Sequence, residues 1–188
     1  MQRTLWRLFG LIALAASGFL VGCGGSCLGC GGDGNPGAGA EPPGGAPPPP
    51  AVVTQTFAYV AARGVESVAI YRVEADGALV SVDVVQAGER VTHVAIHPSN
   101  RVAYAVNRND NNVSTYALDP STGRLSGRVD VATGISPRLI RIHPSGNFAY
   151  VTNFADGTVS VYTIDAGGAL SSASTVLVGA QPSGLMID

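Results

Sequence analysis

The sequence predicts an all-β fold, a β-propeller of four-stranded blades, because its tyrosines recur at fixed intervals, short apolar strands alternate with turn residues, and no helical period runs through it. Tyr59, Tyr104 and Tyr150 are spaced by 45 and then 46 positions, and Tyr71, Tyr116 and Tyr162 keep the same spacing. A self-similar period of that length holding four strands is the arithmetic of a propeller blade, whose faces are buried only against its neighbours. About three such blades fit, an incomplete ring, and a signal peptide and a disordered linker precede them.

The elements follow in chain order. Arg3 and Arg7 precede an apolar run from Leu8 to Val21. Fourteen residues at about 1.5 Å rise span roughly 21 Å, less than the roughly 30 Å hydrocarbon core of a bilayer. A positive flank and a short apolar region describe a signal peptide, here residues 1–22, rather than a spanning helix. The run ends Leu20-Val21-Gly22-Cys23, which resembles a bacterial lipobox. That resemblance implies cleavage before Cys23 and a lipid on its thiol, which would place the protein in the bacterial cell envelope with the membrane as partner. Gly24 after the cysteine implies the outer membrane, or a face toward the periplasm, if the cell is Gram-negative. Ordinary secretion with cleavage after Ala15-Ala16 is the alternative.

Residues 23–50 read as linker. Positions 24–50 hold 10 Gly and 7 Pro, ending in Pro47-Pro48-Pro49-Pro50. Such a stretch cannot bury enough apolar surface to offset the entropy of ordering it, and its last residues are stiffened by polyproline II. Cys27-Leu28-Gly29-Cys30 has the CxxC form. A thioredoxin-like thiol needs a strand–helix scaffold that Gly-rich sequence does not supply, and zinc needs four ligands, so these read as linker cysteines, able to oxidise to a small loop. Net charge is −2 and all 11 cations are Arg, with no basic cluster. A nucleic-acid partner has no electrostatic footprint in such a chain.

Residues 51–188 carry the repeats, at about 57–101, 102–147 and 148–188. Phe57-Ala58-Tyr59-Val60 aligns with Val102-Ala103-Tyr104-Ala105 and Phe148-Ala149-Tyr150-Val151. Ser67-Val68-Ala69-Ile70-Tyr71 aligns with Asn112-Val113-Ser114-Thr115-Tyr116 and Thr158-Val159-Ser160-Val161-Tyr162. His97-Pro98-Ser99-Asn100 aligns with His143-Pro144-Ser145-Gly146, a turn in which Pro presets φ and Asn or Gly accepts the left-handed conformation. Each repeat then reads as a first apolar strand ending at that turn, a Tyr-bearing second strand, a Val/Ser/Tyr third strand, and a fourth beginning at Leu79, Leu125 or Leu170. Runs such as Val94-Ala95-Ile96 suit sheets covered on both faces.

Tyr150-Val151-Thr152-Asn153 spells the YVTN repeat, and His143-Pro144-Ser145-Gly146 with Asp119-Pro120-Ser121-Thr122-Gly123-Arg124-Leu125 resembles the seven-bladed β-propeller lactonase family, which has 6-phosphogluconolactonase-like members. The resemblance covers residues 52–188, the family's N-terminal part, and implies a ring of seven blades. Seven blades at this period need about 315 residues. The chain begins in a second strand and its residues 184–187 match a first strand, with Asp188 where His97 and His143 stand. It is therefore expected to be a partial product, or, if it ends at 188, to self-associate through exposed blade faces.

Propeller ligands usually meet the face formed by the loops from fourth to first strand, here 88–92, 134–138 and 179–183, and from second to third, here 62–66, 107–112 and 153–157. Lactone hydrolysis needs a base for water and a cation or donor for the oxyanion. On that face His93, with Arg90 and Arg138, is the expected catalytic set, and Arg108, Asp110, Glu66 and Asp156 the expected binding set. The family's Pro-Arg-His motif before the first strand is split here between Thr92-His93 and Pro137-Arg138. His97 and His143 repeat in a turn on the opposite face, which suits structure, and Asn107 and Asn153 are expected to satisfy loop amides. Asn109-Asp110-Asn111-Asn112 lacks calcium-loop spacing, and neither metal nor cofactor is implied. Two functions remain: a lactonase-like hydrolase acting on a small-molecule lactone, or a non-catalytic scaffold holding a surface ligand.

Overall fold

The computed structural model describes residues 55–188. The signal peptide, Cys23, Cys27, Cys30 and the linker lie outside the described residues. Among the described residues eleven strands form three antiparallel sheets, most of them rich in Val, Ile, Tyr or Thr and bounded by Gly, Asn, Asp or Pro turns. The first sheet holds β1 (Thr56–Ala62), β2 (Ser67–Val73) and β3 (Leu79–Gln86). The second holds β4 (Val91–Ile96), β5 (Val102–Asn107), β6 (Asn112–Leu118) and β7 (Leu125–Ala132). The third holds β8 (Pro137–Ile142), β9 (Phe148–Asn153), β10 (Thr158–Ile164) and β11 (Leu170–Leu177).

Strand order follows chain order in each sheet, and β4 and β8 approach one another as the inner strands of adjacent blades. The fourth strands begin at Leu79, Leu125 and Leu170, as the repeats require. Among the described residues the first sheet has no counterpart of β4 and β8, as the phase of the repeat predicts. Residues 184–187, which match a first strand in sequence, form none. A strand needs a ladder partner, and among the described residues that segment has only the side chain of Arg141, whose Nε donates to the Leu185 carbonyl at 3.2 Å.

The core lies between sheets. Val68, Ile70, Ala103, Ala105, Tyr116 and Leu125 pack at the first boundary. Val102, Tyr104, Val113, Ile140, Val151, Tyr162 and Leu170 pack at the second. Every residue of β5 is buried, so this strand serves both boundaries. Each fully buried Val, Leu or Ile side chain contributes about 1.5–3 kcal/mol.

The repeated tyrosines explain themselves here. Tyr59 Oη donates to the Gly123 carbonyl at 3.0 Å and Tyr104 Oη to the Gly168 carbonyl at 2.8 Å, each reaching forward to the next blade. Tyr116 Oη donates back to the Gln86 carbonyl at 2.9 Å, and Tyr162 Oη to the Ala132 carbonyl at 2.6 Å. His97 works the same boundary. Its Nδ1 accepts the Ser99 amide at 3.1 Å, so its Nε2–H faces the Gly146 carbonyl at 2.9 Å, in the equivalent turn of the next blade.

Candidate functional site

At one end of the sheets, the loops that close the second strands meet the loops that lead into the inner strands. The Arg108 amide donates to the Arg90 carbonyl at 3.2 Å, and the Phe154 amide to the Ser136 carbonyl at 3.1 Å. Side chains lock the pairing. Asn107, fully buried, accepts the Gly88 amide at 3.1 Å and donates to Ser114 Oγ at 2.7 Å. Asn153, equally buried, donates to Ser160 Oγ at 2.8 Å. Glycine is required beside them: a Cβ on Gly134 would lie 2.5 Å from Asp156 Oδ2 and 2.6 Å from Asn153 Cγ.

Two of the expected binding residues belong to this lock. Asp110 Oδ2 accepts the Glu89 amide at 2.8 Å, and Asp156 Oδ2 accepts the Ile135 amide at 2.5 Å. Each carboxylate holds a loop at its own blade. Glu66, exposed and with φ of 50°, takes part through its carbonyl, which accepts the Ala87 amide at 2.8 Å.

The arginines converge. Arg63 and Arg108 occupy the same repeat position in successive loops, and Phe154 fills that position in the third blade. Arg90 immediately precedes β4 and Arg138 is the second residue of β8; Arg90 sits with φ of 57°, as does its counterpart Ser136. Arg108 Nε donates to Ser136 Oγ at 2.6 Å. The Arg138 guanidinium stacks 3.8 Å from the centre of the Phe154 ring, and that of Arg108 lies 5.6 Å from it. Desolvation, then Arg90, Arg138 and Arg63, lower the Arg108 pKa below its ordinary value. Ion pairs among the described residues join Arg72 to Glu74, Arg124 to Asp83 and Arg128 to Asp130, and none involves these four arginines. Like charges gathered without a counter-charge repel one another and favour an anion among them.

His93 stands apart from that group. It lies half-buried on β4, and its Nδ1 is sealed from solvent without a partner. Burial first, then the Arg141 charge, lowers its pKa, so the imidazole is neutral at neutral pH. The cation that acts on His93 is thus Arg141 of β8, which the sequence reading did not single out. Arg63 and Phe154 were missed as well. The signal for Arg63 was its alignment with Arg108; that for Arg141 was its place where Ala95 and Met186 stand in the other repeats. Among the described residues no group of three His, Cys, Asp or Glu side chains is placed to hold a metal ion.

Comparison with known proteins bears on this arrangement. Residues 51–131 match the family described as lactonase, 7-bladed beta-propeller. A periplasmic gluconolactonase of Pseudomonas aeruginosa superposes with a TM-score of 0.64 and 26% identity, over 69% of this chain and 39% of its own. A putative 6-phosphogluconolactonase from Bacteroides fragilis gives a TM-score of 0.63 and 26% identity, over 66% of this chain and 37% of its own. A similar protein from Bacteroides uniformis, at 22% identity and a TM-score of 0.62, shows the fold alone. None of the curated proteins compared with the chain matches it. The chain spans less than two fifths of the length of these solved structures.

Proposed function

From its match over residues 51–131 to the seven-bladed β-propeller lactonase family, we propose that this chain binds a lactone bearing an acidic group at the arginine-lined end of its sheets and hydrolyses it. The observation that carries this reading is the set Arg63, Arg90, Arg108 and Arg138, in which Arg108 and Arg138 flank Phe154, the other charges act on Arg108, and none forms a salt bridge with a described carboxylate. An acidic substituent would relieve their repulsion, and the carbonyl end of the ligand would reach toward His93.

The chemistry asked of His93 is general-base catalysis. With Nδ1 sealed, Nε2 is the nitrogen left to take a proton from water. The hydroxide adds to the lactone carbonyl carbon, Arg141 stabilises the oxyanion, and collapse breaks the ring C–O bond. The ring oxygen then receives the proton from the imidazolium, giving the open hydroxy acid. A lowered His93 pKa keeps the base form available at neutral pH.

Two relatives named as a gluconolactonase and a putative 6-phosphogluconolactonase support lactones of sugar acids as the substrate class. The periplasmic relative supports a cell-envelope location, in line with the apolar N-terminal run and a lipid on Cys23. A binding role without turnover is the second reading. The observation favouring it is that Asp110 and Asp156 hold loop amides, which leaves His93 with no described carboxylate bonded to it.

The test measures hydrolysis of 6-phosphoglucono-δ-lactone and of neutral glucono-δ-lactone, with 6-phosphogluconate binding followed by calorimetry. Faster turnover of the phosphorylated lactone, lost in His93→Gln with 6-phosphogluconate binding retained, supports hydrolysis. Binding that depends on Arg108 and Arg138, without turnover of either lactone, supports the second reading. Absence of both binding and turnover overturns the two together.

A further inference from the structure

The arginines at the loop end of the sheets are not held alike. Arg63 and Arg108 occupy one repeat position, and Arg90 and Ser136 another. At the second boundary Arg108 Nε donates to Ser136 Oγ at 2.6 Å. At the first, Arg90 stands in place of that serine, and a guanidinium has hydrogen-bond donors only. Arg63 therefore meets no acceptor at the corresponding place, and Arg63 and Arg90 are both exposed.

Ser136 is itself fixed on two sides. It sits in the left-handed region with φ of 57°, and its amide donates to Asn111 Oδ1 at 2.7 Å. The Asn111 carbonyl accepts the Thr133 amide at 2.9 Å, so one residue grips this segment twice. The Ser136 carbonyl accepts the Phe154 amide at 3.1 Å. Ser136 thus joins the loop that carries Arg108 to the loop that carries Phe154, on whose ring Arg138 stacks at 3.8 Å. At the first boundary Glu66 and Arg90 take the places of Asn111 and Ser136. The backbone bond from Ala87 to Glu66 is kept there, but the two side-chain bonds have no counterpart among the described residues.

A guanidinium bonded through Nε has its plane fixed and both terminal nitrogens left for a ligand. Those nitrogens match two oxygens of one carboxylate or phosphate. Fixing the plane beforehand also spares the entropy that a loose side chain loses on capture. We propose, resting on the reading that the arginine-lined end takes an acidic ligand, that Ser136 is a positioning residue. It sets Arg108 to grip the anionic group at the second boundary, while Arg63 and Arg90 contribute charge alone.

The experiment uses the full chain, with 6-phosphogluconate binding followed by calorimetry and the Arg108 Nε–H signal by nitrogen-edited NMR. Ser136→Gly removes the hydroxyl without straining a backbone at positive φ. In the ligand-free wild type the Arg108 Nε–H should exchange slowly with solvent, and in Ser136→Gly fast. The same variant should weaken 6-phosphogluconate about fivefold, the cost of immobilising one freed side chain. Arg108→Lys keeps the charge and lacks the Nε–H. In that background Ser136→Gly should cost nothing further, whereas a serine that merely held the loop would cost the same in both. Should Ser136→Gly not fold, as judged by its urea transition, Arg108→Lys should still lose more affinity than Arg63→Lys, and equal losses overturn the proposal. Unchanged affinity in folded Ser136→Gly, or an equal loss in the Arg108→Lys background, overturns it and leaves the lactone reading standing. Ser136-dependent binding without turnover of either lactone does the reverse. Failure of the wild type to bind 6-phosphogluconate overturns the proposal whether or not a lactone is turned over.

Discussion

Replacing Tyr104 by Phe removes one oxygen from the boundary between the second and third sheets and keeps the ring that packs there. The lost hydrogen bond, 2.8 Å to the Gly168 carbonyl, joins two buried groups. Its net worth is about 1 kcal/mol, and leaving the carbonyl unpaired where water does not reach adds about 1–3 kcal/mol. The expected loss is therefore about 2–4 kcal/mol, a large part of the roughly 5–15 kcal/mol that holds a typical domain folded. Tyr59→Phe deletes the equivalent bond at the first boundary, but there the hydroxyl is half-buried and water can replace it, so about 1 kcal/mol is expected. Urea unfolding followed by circular dichroism reads both as shifts in midpoint at constant slope. The same hydroxyl has an alkaline signature. Burial, then Asp165, pushes the Tyr104 phenol up from 10.0 to about 12. A folded-state pKa above the unfolded one means stability that is complete below about pH 10 and lost as pH rises toward 12. Tyr104→Phe should remove its share of that alkaline decline. A loss below about 0.5 kcal/mol, or equal losses for the two variants, would refute the view that burial of the inter-blade bond sets its worth.

Gly146→Ala should destabilise by about 1–2 kcal/mol, because φ there is 79° and a Cβ would lie 2.8 Å from His97 Nε2; thermal unfolding checks it, and combination with His97→Ala should be sub-additive. Asp130→Asn should flatten the acid side of the stability profile. Burial raises the Asp130 pKa, but hydrogen bonds from Arg128 and Ser114 outweigh it and leave the carboxyl below its ordinary value, so its contribution is present above about pH 4 and lost as pH falls through the lowered value. Arg141→Gln should raise the His93 pKa toward that of free histidine, since one of its two depressing causes is gone; imidazole proton shifts across pH read this directly, and an unmoved titration would separate His93 from Arg141. Phe154→Ala should weaken 6-phosphogluconate binding severalfold by freeing Arg138 from a stacking contact worth about 0.5–1 kcal/mol.

Much of the fold was legible because the tyrosines cannot drift. Tyr59 and Tyr104 must each meet a glycine carbonyl of the next blade, and Tyr116 and Tyr162 a carbonyl of the previous one, so their spacing in sequence is the spacing of blades in space. Residues 184–187 show the limit. Their sequence is that of an inner strand, but strand formation is a property of a pair, and pattern alone does not supply the neighbour. At the site, Arg90, Arg108 and Arg138 were legible as cations at the loop end of the blades, although Arg138 stands inside β8. Arg141 was hidden because Leu139-Ile140-Arg141-Ile142 reads as an apolar core strand interrupted once. Asp110 and Asp156 read as ligand-binding carboxylates, because an aspartate that caps a backbone amide has the same identity as one that awaits a ligand.

Repetition itself separates those two kinds of aspartate. Asp110 and Asp156 recur at one position of the blade and make the same bond to a loop amide, as Asn107 and Asn153 both donate to the serine seven residues on and His97 and His143 recur in one turn. A residue that makes the same bond in both complete blades is tied to holding those blades' loops, although the first sheet carries Ala62 and Val65 at these positions. Ligands, by contrast, meet one place on the ring and need residues that only some blades carry. Arg63 and Arg108 give way to Phe154, Arg90 gives way to Ser136, and Leu139 stands where His93 does.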